Sequence, residues 1–255
     1  MNTVLQPELL NMQNQEEFLA AGLRGLAKEL RQYTPPGYPL REQRFISVEP
    51  VPDIPEGPWD TSPLFPNIAD HIDIRARGLS TDRWGRPIHP WLGQLTADAS
   101  VGVVTGKADY YYWGPNHTAD PIIIVNDCVL LVQREDTGAW AFPGGYVDPG
   151  ETAVEAGVRE AKEEATILLP EDFEPILVYQ GPVMDVRMTA HAWPETTSLL
   201  FDLGTMDSLP DIRANDGVID QRWQLLADAR TMALYGSHNQ LLELAVARRD
   251  VLLRE

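Results

Sequence analysis

The spacing of apolar positions changes character near Ala119. Beyond that point, short apolar runs recur between turn residues. PIIIV and CVLLVQR flank Asn126-Asp127, a pair suited to a hairpin turn. AWAFPGG leads into a glycine turn, and PILVYQG, TSLLFDL and QRWQLLA read as further strands. Two stretches carry helical periodicity. In the first, Val154, Val158, Ala161 and Ala165 form an apolar stripe on a helix from about Thr152 to Ala165. The second, HNQLLELAVARRDVLLRE, follows Ser237, which can cap it, and places Arg248, Arg249 and Arg254 near its C-terminal end, where cations are favoured. Strands and helices mixed in this way predict an α+β domain over residues 119–255, an α/β/α sandwich with a mixed sheet.

The pattern upstream is less regular. Leu19, Leu23, Leu26 and Leu30 recur at i, i+4, i+7 and i+11, predicting an amphipathic helix within residues 1–33. It packs on the body of the protein or on a second subunit, as in a homodimer. From Thr34 to Pro66 dense prolines exclude regular helix, while Tyr38, Phe45, Ile46, Trp59 and Phe65 suggest a segment wrapped against a surface. IDIRARG and SVGVVTG then read as short strands beside the clusters RWGRPIHP and YYYWGPNHTADP. Residues 34–118 are thus expected to form a proline-rich segment and a small irregular subdomain.

Composition narrows the partners. The chain has 255 residues, 44% of them hydrophobic, which is enough for a real core. A net charge of −18 argues against nucleic acid, whose phosphates need clustered lysine and arginine. The lone cysteine, Cys128, lies inside an apolar run, so a reducing, cytoplasmic setting is expected, with Cys128 a buried strand residue. No apolar segment approaches the ~18 residues of a membrane span, and Glu8, Glu16 and Glu17 do not fit a secretory or mitochondrial leader. Five histidines without paired spacing argue against structural zinc.

The chemistry concentrates between Gly144 and Ile167. Glu160, Glu163 and Glu164 stand at i, i+3 and i+4 and share one face of the first helix. Three like charges so close repel one another, and a hard cation with oxygen ligands removes that repulsion. Magnesium suits such a site, with manganese as the alternative ion. Glu155 and Glu163 each lie four residues from Arg159, so the arginine can hold Glu163 while its neighbours ligate metal. Gly144-Gly145 and Asp148-Pro149-Gly150 let backbone carbonyls approach the same ion.

From Gly145, five residues lead to Glu151, seven more to Arg159-Glu160, and two more to Glu163-Glu164. This spacing resembles the Nudix box, G-x5-E-x7-R-E-U-x-E-E-x-G-U, with Ala161 at the bulky apolar position and Thr166 in place of the final glycine. A β-branched residue adopts a left-handed conformation poorly, so the helix is expected to end with a different cap. Three more segments, WGPNHTADPII, GPVMDVRMTAHAWPET and LYGSHNQLLELAVARRD, are similar to the mitochondrial-type ADP-ribose pyrophosphatases. They are also similar to the Nudix-homology domain of the ADP-ribose-gated melastatin channel. Gly85-Arg86-Pro87 and His89-Pro90 stand where that branch has GRP-x-NP.

The resemblance implies metal-dependent hydrolysis of ADP-ribose to AMP and ribose 5-phosphate. It implies Glu160, Glu164 and the Gly145 carbonyl as metal ligands, Glu151 as a ligand or a group that orients one, and Glu163 as a ligand or general base steadied by Arg159. Asp185 and Arg187 match a D-x-R pair in which the acid accepts ribose hydroxyls and the arginine forks onto phosphate; the plain alternative is a surface ion pair. Tyr235 would stack on adenine with His238 beside it, unless both merely pack the helix start. Trp113, Asn116 and His117 either line the pocket or form a rigid turn joining the subdomains. Two other readings stay open: a sensor that binds ADP-ribose with little turnover, and a hydrolase for another nucleotide diphosphate derivative.

Overall fold

The computed structural model describes residues 63–91, 105–170, 173–183, 185 and 187–253. The expected helix within residues 1–33, most of the proline-rich segment, most of SVGVVTG, and Arg254 lie outside the described residues.

A seven-stranded mixed sheet organises the molecule. Strands β1 (Gly114–Val125) and β2 (Cys128–Arg134) form the expected hairpin. Asn126 and Asp127 both take positive φ, 49° and 60°, as a two-residue type I′ turn requires. The remaining strands are β3 (Trp140–Ala141), β4 (Gly145–Tyr146), β5 (Ile176–Pro182), β6 (Ala192–Asp202) and β7 (Val218–Leu225). Their order is β3-β2-β1-β6-β5, with β4 added on β1 and β7 on β2. At the centre β1 and β6 run parallel, paired from Gly114↔Ala192 to Ile124↔Asp202, while the other pairings are antiparallel. Because β1 begins at Gly114, Gly114, Pro115 and Asn116 belong to the sheet, while Trp113 directly precedes it.

The helices are α1 (Ile68–Ala76), α2 (Ala153–Ala165), α3 (Leu226–Ala229) and α4 (His238–Leu252). Alternation along the strands divides the core in two. Ile122, Ile124, Val129 and Leu131 meet Leu241, Leu242 and Ala245 of α4 on one face. Ile123, Leu130 and Val132 meet Ala161 and Ala165 of α2 on the other, completing the α/β/α sandwich. Arg249 on α4 ties the β1–β2 turn to β6 by pairing with Asp127 and, at 2.9 Å, with Asp202. Among the described residues no helix is long and apolar enough to cross a membrane.

Four local expectations need correction. The first five residues of IDIRARG lie in α1 and Arg77 caps its end, because Asn67 and Asp70 form a reciprocal capping box that starts a helix there. Val154 is 37% exposed; α2 instead buries Ala156 and Gly157, with Gly157 packed beside Pro121. Thr166 does adopt the left-handed conformation, φ 56° and ψ 17°, and the amide N–H groups of Thr166 and Ile167 bond the Lys162 and Ala161 carbonyls at 3.0 and 3.3 Å. Ser237 occupies the position before α4 without a side-chain capping bond.

The segment around α1 docks on the entry to β6. The His89 amide donates to the Ala190 carbonyl at 3.0 Å, and His191 Nδ1 donates to the Pro87 carbonyl at 2.7 Å. Thr189 Oγ1 donates to the Gly106 carbonyl at 2.6 Å and accepts from the Ala192 amide at 2.8 Å. Burial drives His89 and His191 down to about 3 and about 4, so both are held neutral.

Candidate active site

The start of α2 is fixed by a capping box. Thr152 Oγ1 accepts from the Glu155 amide at 3.2 Å, and the Glu155 carboxylate accepts from the Thr152 amide at 2.7 Å. Glu155 therefore caps the helix and does not engage Arg159. The guanidinium of Arg159 instead holds Glu151 through two bonds of 2.9 and 3.0 Å, Glu160 at 2.7 Å, Glu163 at 3.0 Å and the Tyr146 carbonyl at 2.9 Å. One arginine thereby joins the glycine turn, the loop before α2 and the acidic face of the helix. These bonds pull the Glu151 carboxyl below its usual range.

The paired glycines explain how the acids reach the turn. A Cβ on Gly145 would collide with the Glu160 carboxylate, and one on Gly144 would come within 2.6 Å of Asp120 Oδ1. The Gly144 amide donates to Glu164 Oε2 at 3.0 Å. Unlike its neighbours, Glu164 has no bond to Arg159. Burial, reinforced by the Glu160 and Asp120 carboxylates, pushes it up to about 8 in spite of the Gly144 bond. Burial also raises Glu160, although Arg159 opposes the shift.

A divalent cation fits this donor set. All the candidate ligands are hard oxygens, and Glu164 is a half-buried acid crowded by two other carboxylates, which a cation would relieve. Among the described residues no group of three acidic or histidine side chains closes on a single point, since Arg159 draws Glu151, Glu160 and Glu163 to itself. Glu151, Glu160, Glu164 and Gly145 line the cleft; Glu163 does not, and contacts it through Arg159.

The cleft has a volume of about 1110 Å³, enough for a dinucleotide-sized ligand. A polar cluster forms part of its lining. Arg187 forks onto Asp185 at 2.9 and 2.8 Å, and Tyr235 donates its hydroxyl to Asp185 Oδ2 at 3.1 Å. Asp185 is buried, so this is not a surface ion pair. Burial alone would raise the Asp185 carboxyl, but Arg187 holds it below its usual range. Its oxygens are already engaged by protein donors, which makes Asp185 a clamp for Arg187 and Tyr235 and not an open acceptor for ribose hydroxyls. Arg134, itself paired with Asp136, lies over the Tyr235 ring at 4.5 Å. His238 Nδ1 accepts from the Phe142 amide at 2.9 Å, leaving the ring proton on Nε2. Burial lowers the pKa of this histidine and keeps it neutral.

His117 also lines the cleft, but Trp113 and Asn116 do not. Both are buried. Asn116 clamps Tyr112 by accepting from its amide at 2.9 Å and donating to its carbonyl at 2.8 Å. They build the turn that enters β1, the alternative weighed for them above. Sequence reasoning missed Asp120, Arg134, Arg77 and the tyrosines Tyr111, Tyr112 and Tyr146, all of which line the cleft. A signal existed for Asp120, a lone acid directly before an unbroken apolar run.

Comparison with known proteins accords with this geometry. A family model described as NUDIX domain matches residues 115–244. A rat protein named ADP-ribose pyrophosphatase, mitochondrial, is 32% identical over 227 residues, covering 74% of this chain and 62% of the relative. Putative nudix hydrolase 6 of Caenorhabditis elegans is 37% identical, covering 55% of this chain and 58% of the relative. A Nematostella vectensis protein named transient receptor potential cation channel subfamily M member-like 2 is 33% identical over 82% of this chain, but only 14% of the channel is covered. The chain thus spans less than two thirds of the length of each of these relatives.

Proposed function

Because the chain belongs to the Nudix family, we propose that it is a metal-dependent hydrolase that splits the diphosphate bond of ADP-ribose into AMP and ribose 5-phosphate. The observation that carries this reading is the Arg159-centred carboxylate set opening on a cleft that is also lined by a guanidinium–tyrosine cluster. The rat relative's printed name supports the choice of substrate.

Glu160, Glu164 and the Gly145 carbonyl would hold the divalent ion, magnesium in this proposal, with Glu151 and Glu163 as further ligands or orienting groups. When bound, such an ion neutralises diphosphate charge and acidifies water. The chain's own residues do the rest. Arg159 keeps Glu151, Glu160 and Glu163 in register with the glycine turn. Glu163 reaches the cleft through Arg159, so its expected role as general base becomes one of positioning in this arrangement. Arg187 and Arg134 supply positive charge beside the polar part of the cleft lining, and His238 offers a neutral Nε2–H donor. In a chain of net charge −18, these local guanidiniums provide what attraction a doubly phosphorylated substrate finds. The proposed compartment is the reducing cytoplasm, in keeping with the buried free thiol of Cys128.

Incubating the protein with ADP-ribose and magnesium while following AMP and ribose 5-phosphate tests the proposal. Tight binding without product would establish the sensor reading, which the likeness to the channel protein motivates. The complete carboxylate set favours turnover.

A further inference from the structure

Two parts of the cleft lining differ in chemistry. One face of the Tyr235 ring carries the Arg134 guanidinium at 4.5 Å, its hydroxyl is bound to Asp185, and the His238 ring approaches edge-on with centroids 6.0 Å apart. That polar assembly suits the oxygens of a sugar phosphate. Another part of the cleft lining is aromatic. Tyr111 and Tyr112 line the cleft while remaining 69% and 47% exposed.

These exposed rings are firmly mounted. Asn116, wholly buried, grips the Tyr112 backbone through both its amide and its carbonyl. Arg77 sits 5.7 Å from the Tyr112 ring and is itself fixed by the Trp113 carbonyl at 2.5 Å and by Asp73. The Tyr111 ring meets that of Tyr146 edge-on, with centroids 4.8 Å apart. Tyr146 in turn offers its carbonyl to Arg159. The platform is therefore joined directly to the acidic helix, and its open aromatic surface faces the same cleft.

Resting on the proposed function, we infer that Tyr111 and Tyr112 form a stacking shelf for the purine base of the substrate. The nucleoside half lies over this shelf, the diphosphate crosses Glu160 and Glu164, and the ribose 5-phosphate half meets Arg187 and Tyr235. Stacking on a ring face is tolerant of base identity, so the shelf selects for a planar base more than for adenine over other purines.

The test is calorimetric titration of the full chain with AMP and, separately, with ribose 5-phosphate. Replacing both tyrosines, Tyr111→Ala with Tyr112→Ala, is expected to weaken AMP at least roughly tenfold, the scale of losing one stacked base. Ribose 5-phosphate should stay within about twofold, and the pair Tyr111→Phe with Tyr112→Phe should recover most of the AMP affinity. Unaltered AMP binding in the alanine pair, equal weakening of both ligands, or no AMP binding by the wild-type chain would each overturn the shelf. Because the readout is binding, a wild-type chain that binds AMP on the shelf yet fails to split ADP-ribose sinks the proposed reaction and leaves the shelf standing.

Discussion

Replacing Glu164 by glutamine should separate stability from catalysis. The unfolded chain releases this proton near the ordinary carboxyl value of 4.5, whereas burial and nearby carboxylates keep it on the folded chain up to about 8. The folded state is therefore favoured by the protonated form below pH 4.5, and that advantage is lost as pH rises toward 8 when no divalent ion is present. A gap from 4.5 to about 8 corresponds to at most about 5 kcal/mol, and partial solvent contact brings the expected figure to about 2–3 kcal/mol. Glutamine keeps an oxygen for the Gly144 amide and carries no charge. In chelator-treated protein at pH 8.5, Glu164→Gln should thus be more stable than wild type by about 2–3 kcal/mol, with the difference vanishing near pH 4. Urea denaturation followed by tryptophan fluorescence measures this. In the presence of magnesium the order should invert: wild type gains stability, the variant gains little, and its kcat falls at least ~10²-fold. Equal stability at pH 8.5 together with a kcat within a few fold of wild type would refute the assignment of Glu164 as a strained acid waiting for a cation.

Thr166→Gly should stabilise the protein by about 1 kcal/mol, because a β-branched residue currently holds a left-handed position; thermal or urea denaturation will show it. Arg187→Ala should raise KM more than it lowers kcat and also cost about 3 kcal/mol, since it strands the buried Asp185 carboxylate; steady-state kinetics and denaturation give the two numbers. His191, held at about 4 by burial, and His89, at about 3, take up protons first in the unfolded chain, so stability should fall as pH drops below about 6.5. His191→Gln should remove about 3 kcal/mol of that acid sensitivity, read from urea midpoints between pH 4 and 7.

The acidic helix was legible because its information is local: carboxylates at i, i+3 and i+4 share a face whatever surrounds them. The β1–β2 hairpin was legible for the same reason, since Asn126-Asp127 tolerates the two positive φ values. What failed depended on distant neighbours. Val154 is exposed because the face of α2 that meets the sheet, Gly157 against Pro121 among others, is set by another element. IDIRARG alternates like a strand, and only the Asn67–Asp70 pair, three residues apart, marks it as a helix. Asp185 and Arg187 could be paired from their spacing, but that Asp185 also accepts from Tyr235, fifty residues on, required the fold. Trp113 and Asn116, aromatic and polar residues beside the cleft in sequence, proved to be buried, and Asn116 holds Tyr112.

The parallel pairing of β1 with β6 sets an order of events during synthesis. Gly114 meets Ala192, and the residues between include the glycine turn, the acidic helix and Asp185. A chain still emerging from the ribosome can form the hairpin and begin the helix, but it cannot close the cleft until the strand ending at Asp202 is available. The cleft therefore closes late, its Tyr235 and His238 arriving after the last strand, and a shortened chain ending before β6 would carry every residue of the acidic helix yet lack the strand paired with β1.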